Sequence, residues 1–265
     1  MDMNNTFHKD RADEIIRKKD EKDFHDKFFA ESAERKAQEK FYAKEVKELL
    51  FNYAISQMGD LKGRKLLYYG CGINKKPLSK FISEGAEVKA IDLSSEAVEI
   101  MKKFIIKEKL NDYAEMLEMD AEKLSFDNNM FDLVFGSAII HHLDIRKASS
   151  EISRILKKGG KAIFIEPLGM NPIINFYRLV TPKDRTKDEH PLKMGDVDTV
   201  KKNFTSCRQK NFFFLALGAF FWKYIRNEAL FRLTFKIFVK ADNCLFKVVP
   251  FFKRYCWCTV ITLQK

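Results

Sequence analysis

The chain has 265 residues, 46% of them hydrophobic and 32% charged, enough to bury one substantial core and too apolar to stay disordered. Its five cysteines (Cys71, Cys207, Cys244, Cys256, Cys258) follow no even spacing, and Met1 to Glu14 has no apolar signal-peptide core. Both features argue against a disulfide framework and for free thiols in a reducing cytoplasm. The net charge of +11 is unevenly placed: residues 1–169 hold 30 basic and 30 acidic residues, whereas residues 170–265 hold 18 against 7. Twelve of the 25 phenylalanines also follow residue 200. A basic, aromatic last third on a neutral body asks for an anionic partner: a membrane surface, a phosphorylated substrate or a nucleic acid.

Residues 10–58 read as helix, with no proline, no glycine and a helical recurrence of apolar residues at Phe24, Phe28, Phe41, Val46, Leu49, Leu50 and Tyr53. Asp60–Leu61–Lys62–Gly63 breaks the pattern. From Lys65 short apolar runs (Lys65–Tyr69, Val88–Ile91, Leu133–Phe135, Ala162–Ile165) alternate with helical stretches near 77–84, 95–109 and 146–157, the pattern of βαβ units. After Pro167 comes a proline- and glycine-punctuated segment, then a predicted strand around 205–214, an aromatic helical region and a last strand at Cys258–Leu263. The apolar run Phe212 to Trp222 has eleven residues, far short of the ~20 a membrane-spanning helix needs. Cys256–Trp257–Cys258 lacks a second pair or a histidine to complete a tetrahedral metal site and reads as buried strand, so no metal is expected.

Chemistry enters at Leu66–Leu67–Tyr68–Tyr69–Gly70–Cys71–Gly72, a strand running into a glycine turn. The missing side chains at 70 and 72 let the backbone approach a ligand whose charge the next helix's N–H groups can meet. Twenty residues on, Val88–Lys89–Ala90–Ile91–Asp92 is a second strand ending in an acid that can accept both hydroxyls of a ribose. A dinucleotide fingerprint would want a third glycine where Lys75 stands. Met119–Asp120–Ala121 follows at the expected end of a third strand. Phe131 to Ser137 reads as a fourth strand that enters Ala138–Ile139–Ile140–His141–His142–Leu143, and Leu156–Lys157–Lys158–Gly159–Gly160 turns into a fifth.

In order and spacing, residues 65–167 resemble class I S-adenosylmethionine-dependent methyltransferases. The resemblance implies a Rossmann-like α/β fold: a mostly parallel seven-stranded sheet with an antiparallel last strand. Here it would carry an N-terminal helical cap (residues 1–60), a cofactor-binding core (61–167), a substrate loop or lid (168–204) and last strands with an aromatic, basic helical insertion (205–265). It also implies roles for S-adenosyl-L-methionine as cofactor. Gly70, Cys71 and Gly72 would line its methionine part, Asp92 would hold the ribose and Leu93 would cover the adenine. Asp120 would accept from the adenine amino group, Ala121 would offer an N–H, and Ser137 and Ala138 would flank the sulfonium. Two positions depart from the family pattern: Tyr68 stands where an acid is usual, and Asn74 where a third glycine is frequent. Asn tolerates left-handed backbone better than most residues.

A sulfonium-borne methyl is already activated, so the protein must supply alignment and, for a hydroxyl acceptor, a base. His141 and His142 stand where strand C-termini face the ligand crevice and are the first base candidates. Glu166 ends the fifth strand, either on the substrate side or as partner to a histidine. In the loop beyond, Arg185 could clamp an anionic group and His190 is a second base candidate. His25, on the leading helix, is a candidate for the cap.

The expected function is methyl transfer to oxygen or nitrogen of a small-molecule, sugar or lipid-type acceptor. The alternatives are a non-catalytic cofactor-binding subunit that uses the C-terminal third to hold a partner or membrane, and an RNA methyltransferase. Nucleic acid is disfavoured because amino-methylating enzymes of that kind carry Asn or Asp, Pro-Pro and an aromatic where Ser137–Ala138–Ile139–Ile140 stands. A nicotinamide oxidoreductase is disfavoured by Lys75. Phe231, Phe235 and Phe238 alternate with Arg232, Lys236 and Lys240, at a spacing that suits either a helix lying in an anionic membrane interface or a core helix with solvated lysines.

Overall fold

The computed structural model describes residues 3–31, 43–181 and 190–265, with side chains over 14–30 in the first segment. Helix α1 (Met3–Glu31) and helix α2 (Lys44–Met58) stand where one continuous helix was expected; Phe41 lies outside the described residues. The α/β core then runs β1 (Lys65–Tyr69), α3 (Lys75–Ser83), β2 (Glu87–Asp92), α4 (Ser95–Lys107), β3 (Ala114–Glu118), β4 (Phe131–Ser137), α5 (Ile145–Ile155) and β5 (Leu156–Pro167). Next come α6 (Pro172–Val180), α7 (Met194–Val200), β6 (Ser206–Phe212), α8 (Phe220–Tyr224), α9 (Glu228–Val248) and β7 (Cys258–Gln264).

The sheet order is β3-β2-β1-β4-β5-β7-β6. β7 runs antiparallel to both neighbours, and the pairs from β3 to β5 are parallel, as the resemblance implied. The central strands β1 and β4 are apolar over most of their length, Leu66–Tyr69 and Leu133–Phe135, because helices cover both faces. Leu66 and Tyr68 pack into one cluster with Phe81 and Phe135, while Leu67 and Tyr69 pack into the other with Phe131 and Phe164. Helix starts follow capping chemistry. Ser94 accepts the Ala97 N–H at α4, Asp144 those of Arg146 and Lys147 at α5, and Asn171 those of Ile173 and Ile174 at α6.

Register places the functional turns together. Tyr69 pairs with both Ile91 and Gly136, so the chain leaves β1 at Gly70, β2 at Asp92 and β4 at Ser137 along one edge of the sheet.

The segment after β5 is pinned at its base: Leu168 bridges Leu192, and the Leu192 N–H donates to Pro167 O at 3.0 Å. The C-terminal aromatics belong largely to the core. Phe213, Phe231, Phe235 and Trp257 are at most 3% exposed, with Phe213 and Trp257 rings 6.1 Å apart. The Phe231/Phe235 stripe is therefore the buried face of α9 and is unavailable to a membrane. Arg232, Lys236 and Lys240 are exposed. Among the described residues no helix is long and apolar enough to cross a membrane.

Candidate functional site

The glycine turn is built on two left-handed residues, Gly70 (φ 61°) and Gly72 (φ 51°). A Cβ on Gly70 would lie 2.6 Å from Ile139 Cδ1, and one on Gly72 would lie 3.1 Å from the Phe29 ring. A larger residue at either position is strained by both backbone and space. Cys71 between them is buried, and its N–H donates to Ile91 O at 3.0 Å, stitching the turn to β2.

Asp92 closes the next corner. Its Oδ2 accepts the Gly72 N–H at 2.7 Å and its Oδ1 the Ser94 N–H at 3.0 Å. Burial raises its pKa and outweighs those N–H groups, which pull the other way. Farther along, Asp120 Oδ1 accepts the Glu122 N–H at 2.8 Å. On the fourth corner Ala138 is also left-handed (φ 55°) and its N–H donates to Ile165 O at 2.8 Å.

Helix α1 lies across these corners, and most of its contributions were not anticipated from sequence. Lys18 Nζ donates to Asp120 Oδ2 at 2.6 Å and lies 3.0 Å from Glu122 Oε2; Arg17 meets Glu122 Oε1 at 2.6 Å and donates to His142 O at 2.9 Å. Lys22 donates to Leu93 O at 3.0 Å and pairs with Glu118 at 2.7 Å. Asp26 accepts the Ser94 hydroxyl and the Glu96 N–H. Burial works to lower the Lys18 pKa, yet bonds with Asp120, Glu14 and Glu122 hold its ammonium above the ordinary value. The signal was present in the spacing: residues 14, 17, 18, 21, 22 and 25 recur at three and four, one helical face.

The cavity enclosed this way has a volume of about 600 Å³ and is lined by Gly70, Cys71, Gly72, Asp92, Leu93, Asp120, Ala121, Ser137 and Ala138, with His25, Phe29 and His142 among the others. All nine residues assigned to the cofactor thus surround one cleft. The size falls within the roughly 300–1,000 Å³ usual for small-molecule sites.

The reacting-end candidates divide. His142 lines the cleft, with Nδ1 2.7 Å from Glu21 Oε1. His25 lines it too, its Nε2 3.1 Å from the same oxygen and its ring stacked on Phe29. Burial favours a neutral Glu21, but His142 and His25 reverse this and drive its pKa far below the usual carboxylate range. Among the described residues these three are the ones grouped closely enough to hold a metal ion.

His141 and Glu166 pair with each other away from the cleft wall, Glu166 taking the second of its two expected places, as partner to a histidine. Both are nearly inaccessible at 3% and 1% exposure. Glu166 Oε2 faces His141 Nδ1 at 2.7 Å, while its Oε1 accepts the N–H groups of Ile139 and Ile140 at 3.0 and 2.9 Å. That buried carboxylate folds the turn after β4 and so aims His142; it lines no cavity wall of the cleft. His190 is likewise displaced: it is exposed and borders a neighbouring cavity of about 1060 Å³ with Glu14, Arg17 and Arg146. Arg185 lies outside the described residues.

Residues 67–164 match the family model described as a methyltransferase domain. This stretch is a methyltransferase domain. Its relatives include the sterol 24-C-methyltransferase of Gibberella zeae, 31% identical over 112 residues, which are 41% of this chain and 29% of that protein. Another is the ubiquinone/menaquinone biosynthesis C-methyltransferase of Brucella canis, 36% identical over 84 residues, 31% of this chain and 30% of that one. The matches span about three tenths of these curated relatives. The methyltransferase fold extends further. The geranyl diphosphate C-methyltransferase of Streptomyces coelicolor A3(2) superposes with a TM-score of 0.59 at 13% identity, over 83% of this chain and 79% of that one. The phosphoethanolamine N-methyltransferase 2 of Haemonchus contortus gives 0.58 at 20% identity, over 82% and 55%.

Proposed function

We propose that this protein transfers a methyl group from S-adenosylmethionine to a nucleophilic carbon of a small, lipid-like acceptor. The observation that carries the reading is the single cleft at the ends of β1, β2 and β4, into which a glycine turn and two strand-end carboxylates converge within a methyltransferase domain. The residues present fit the cofactor. Asp92 offers carboxylate oxygens to ribose hydroxyls, and Asp120 offers an acceptor for the adenine amino group. Leu93 supplies apolar cover, and Gly70 and Gly72 leave backbone exposed to the methionine part.

When bound, S-adenosylmethionine supplies an activated methyl on a sulfonium. The protein's own part is alignment and proton removal. Ser137 and Ala138 border the methyl's path, Phe28 and Phe29 close the cleft against water, and His142 is the group placed to take a proton from the acceptor. From sequence alone the acceptor atom was expected to be oxygen or nitrogen. The names of three relatives and neighbours, which are C-methyltransferases of a sterol, a quinone and a prenyl diphosphate, support carbon and a lipid-like acceptor. Such an acceptor comes from a membrane, and contact with an anionic one is supported by exposed Ile173, Phe176 and Leu179 on α6, Phe221 on α8, and Leu233 and Ile237 on α9. Arg226, Arg232 and Lys236 are exposed on the same elements or just beyond them.

The test is calorimetric titration with S-adenosylmethionine, followed by transfer of labelled methyl into a lipid extract and NMR location of the label. Binding with label on carbon is expected. Failure to bind the cofactor overturns the reading, and label on nitrogen or oxygen of a polar metabolite overturns the acceptor class.

A further inference from the structure

A third cavity, of about 530 Å³, opens between the edge strand β6, the end of α9 and the 3₁₀ turn Pro250–Tyr255 that follows it. It shares no lining residue with the cofactor cleft. Lys247, Lys253 and Arg254 line it, and among the described residues no aspartate or glutamate does. This is unlike the cations of α1, where Arg17, Lys18 and Lys22 each meet a carboxylate. Here the Arg254 guanidinium sits 5.0 Å from the ring centre of Phe251. A π face holds a cation in place without cancelling its charge.

A second observation is independent of charge. Gln209 Nε2, in the same lining, is buried without a hydrogen-bond partner. An amide donor left so carries an uncompensated desolvation penalty unless an acceptor comes to it. Three cations on its wall and an unanswered donor describe a site for a multiply charged oxyanion such as a phosphate. An apolar surface for the other half of an amphiphile lies beside it: Phe251, which lines the cavity, is 55% exposed, and Val248, next in the chain to Lys247, is 81% exposed. The cavity also lies in the last third of the chain, which carries the whole +11 excess.

We infer that this pocket binds the phosphate headgroup of an anionic phospholipid, the acyl chains lying over Val248 and Phe251. It extends the membrane contact proposed above by giving it a headgroup-reading site, and it does not depend on methyl transfer.

The full chain is mixed with phosphatidylcholine vesicles alone and with vesicles containing phosphatidic acid, and floated. Inorganic phosphate and a single-stranded RNA oligonucleotide are titrated separately. Flotation with phosphatidic acid is expected. Gln209→Leu, and the double variant Lys247→Ala with Lys253→Ala, should each cut it at least fivefold. Lys102→Ala with Lys103→Ala, on exposed positions of α4, should leave it unchanged, and S-adenosylmethionine affinity should stay the same in all. Because Lys247 and Lys253 are exposed, their variant tests the pocket even should Gln209→Leu misfold. Equal loss in the α4 variant would reduce the effect to bulk charge and overturn the site. Full flotation in both pocket variants would remove the pocket while sparing the broader membrane contact. Inorganic phosphate binding as tightly as the vesicles would replace the lipid by a soluble anion, and tighter RNA binding would replace it by nucleic acid.

Discussion

Glu21 Oε1, on the N-terminal helix, lies 2.7 Å from His142 Nδ1, on the turn that leaves β4. The helix that covers the cofactor cleft therefore touches the base candidate directly, and closing the cover and orienting the imidazole are one event. Lys18 on Asp120 and Lys22 on Leu93 O tie the same helix to the turns that follow β3 and β2. The cap reaches both ends of the cleft.

Asp92 carries the first prediction. Its carboxylate already orders the Gly72 N–H and is placed for the ribose, where a charge-assisted bond is worth ~1.5–3 kcal/mol. Asp92→Ala should weaken S-adenosylmethionine binding at least tenfold by calorimetry while circular dichroism stays unchanged. An unchanged affinity would move the cofactor elsewhere.

Docking of α1 should fail in acid. The Glu14 pKa falls from 4.5 to about 2, chiefly through its bond with Lys147 and then that with Lys18; Glu21 is depressed as well. A carboxylate depressed in the folded state stabilises it above the unfolded pKa, and that contribution is lost as pH falls through the folded one. Hydrogen-exchange protection over residues 14–30, taken relative to the intrinsic rate at each pH, should be high above pH 5 and fall progressively as pH drops from about 4.5 towards 2, ahead of protection in β1 and β4. Uniform protection across that window would show that these pairs do not hold the helix.

Much of this was legible in the chain, and the limits have physical causes. The glycine turn, Asp92, Asp120 and Ser137 were readable because a strand end and a fixed interval place each one locally. The partners of α1 were not, because Lys18 and Asp120 are 102 residues apart and nothing local states that an N-terminal helix folds back. Tyr68 looked like a lost polar partner; it is a core residue 1% exposed, packed edge-on against Phe81. His141 and His142 are adjacent in sequence and indistinguishable there. A 3₁₀ turn sends one inward to Glu166 and the other into the cleft. The Phe231/Phe235 stripe had the period of an interfacial helix, and periodicity alone cannot tell a membrane face from a core face.

Glu166→Gln should act on stability. Three donors converge on this carboxylate, two backbone N–H groups and His141. An amide keeps the one acceptor that the two backbone N–H groups share and turns its NH2 on His141 Nδ1. The loss should be ~1–3 kcal/mol, roughly a 2–10 °C drop in melting midpoint for a chain of this size. Wild-type melting with lost turnover would return Glu166 to the reacting groups.

The last prediction separates the two histidines. His142 lines the cleft and is oriented by Glu21, whereas His141 is buried against Glu166. With an acceptor found by the extract screen, His142→Asn should lower turnover by ~10²–10⁴-fold with cofactor affinity retained, since the lost group touches the acceptor side. Glu21→Gln should lower turnover by less, because it removes orientation while leaving the imidazole in place. His141→Asn should lower the melting midpoint, and its turnover should recover at lower temperature where the turn stays folded. The pattern across three variants carries the assignment better than any one value. Full turnover in His142→Asn would leave alignment as the whole of catalysis. A permanent loss confined to His141→Asn, at wild-type stability, would exchange the two roles.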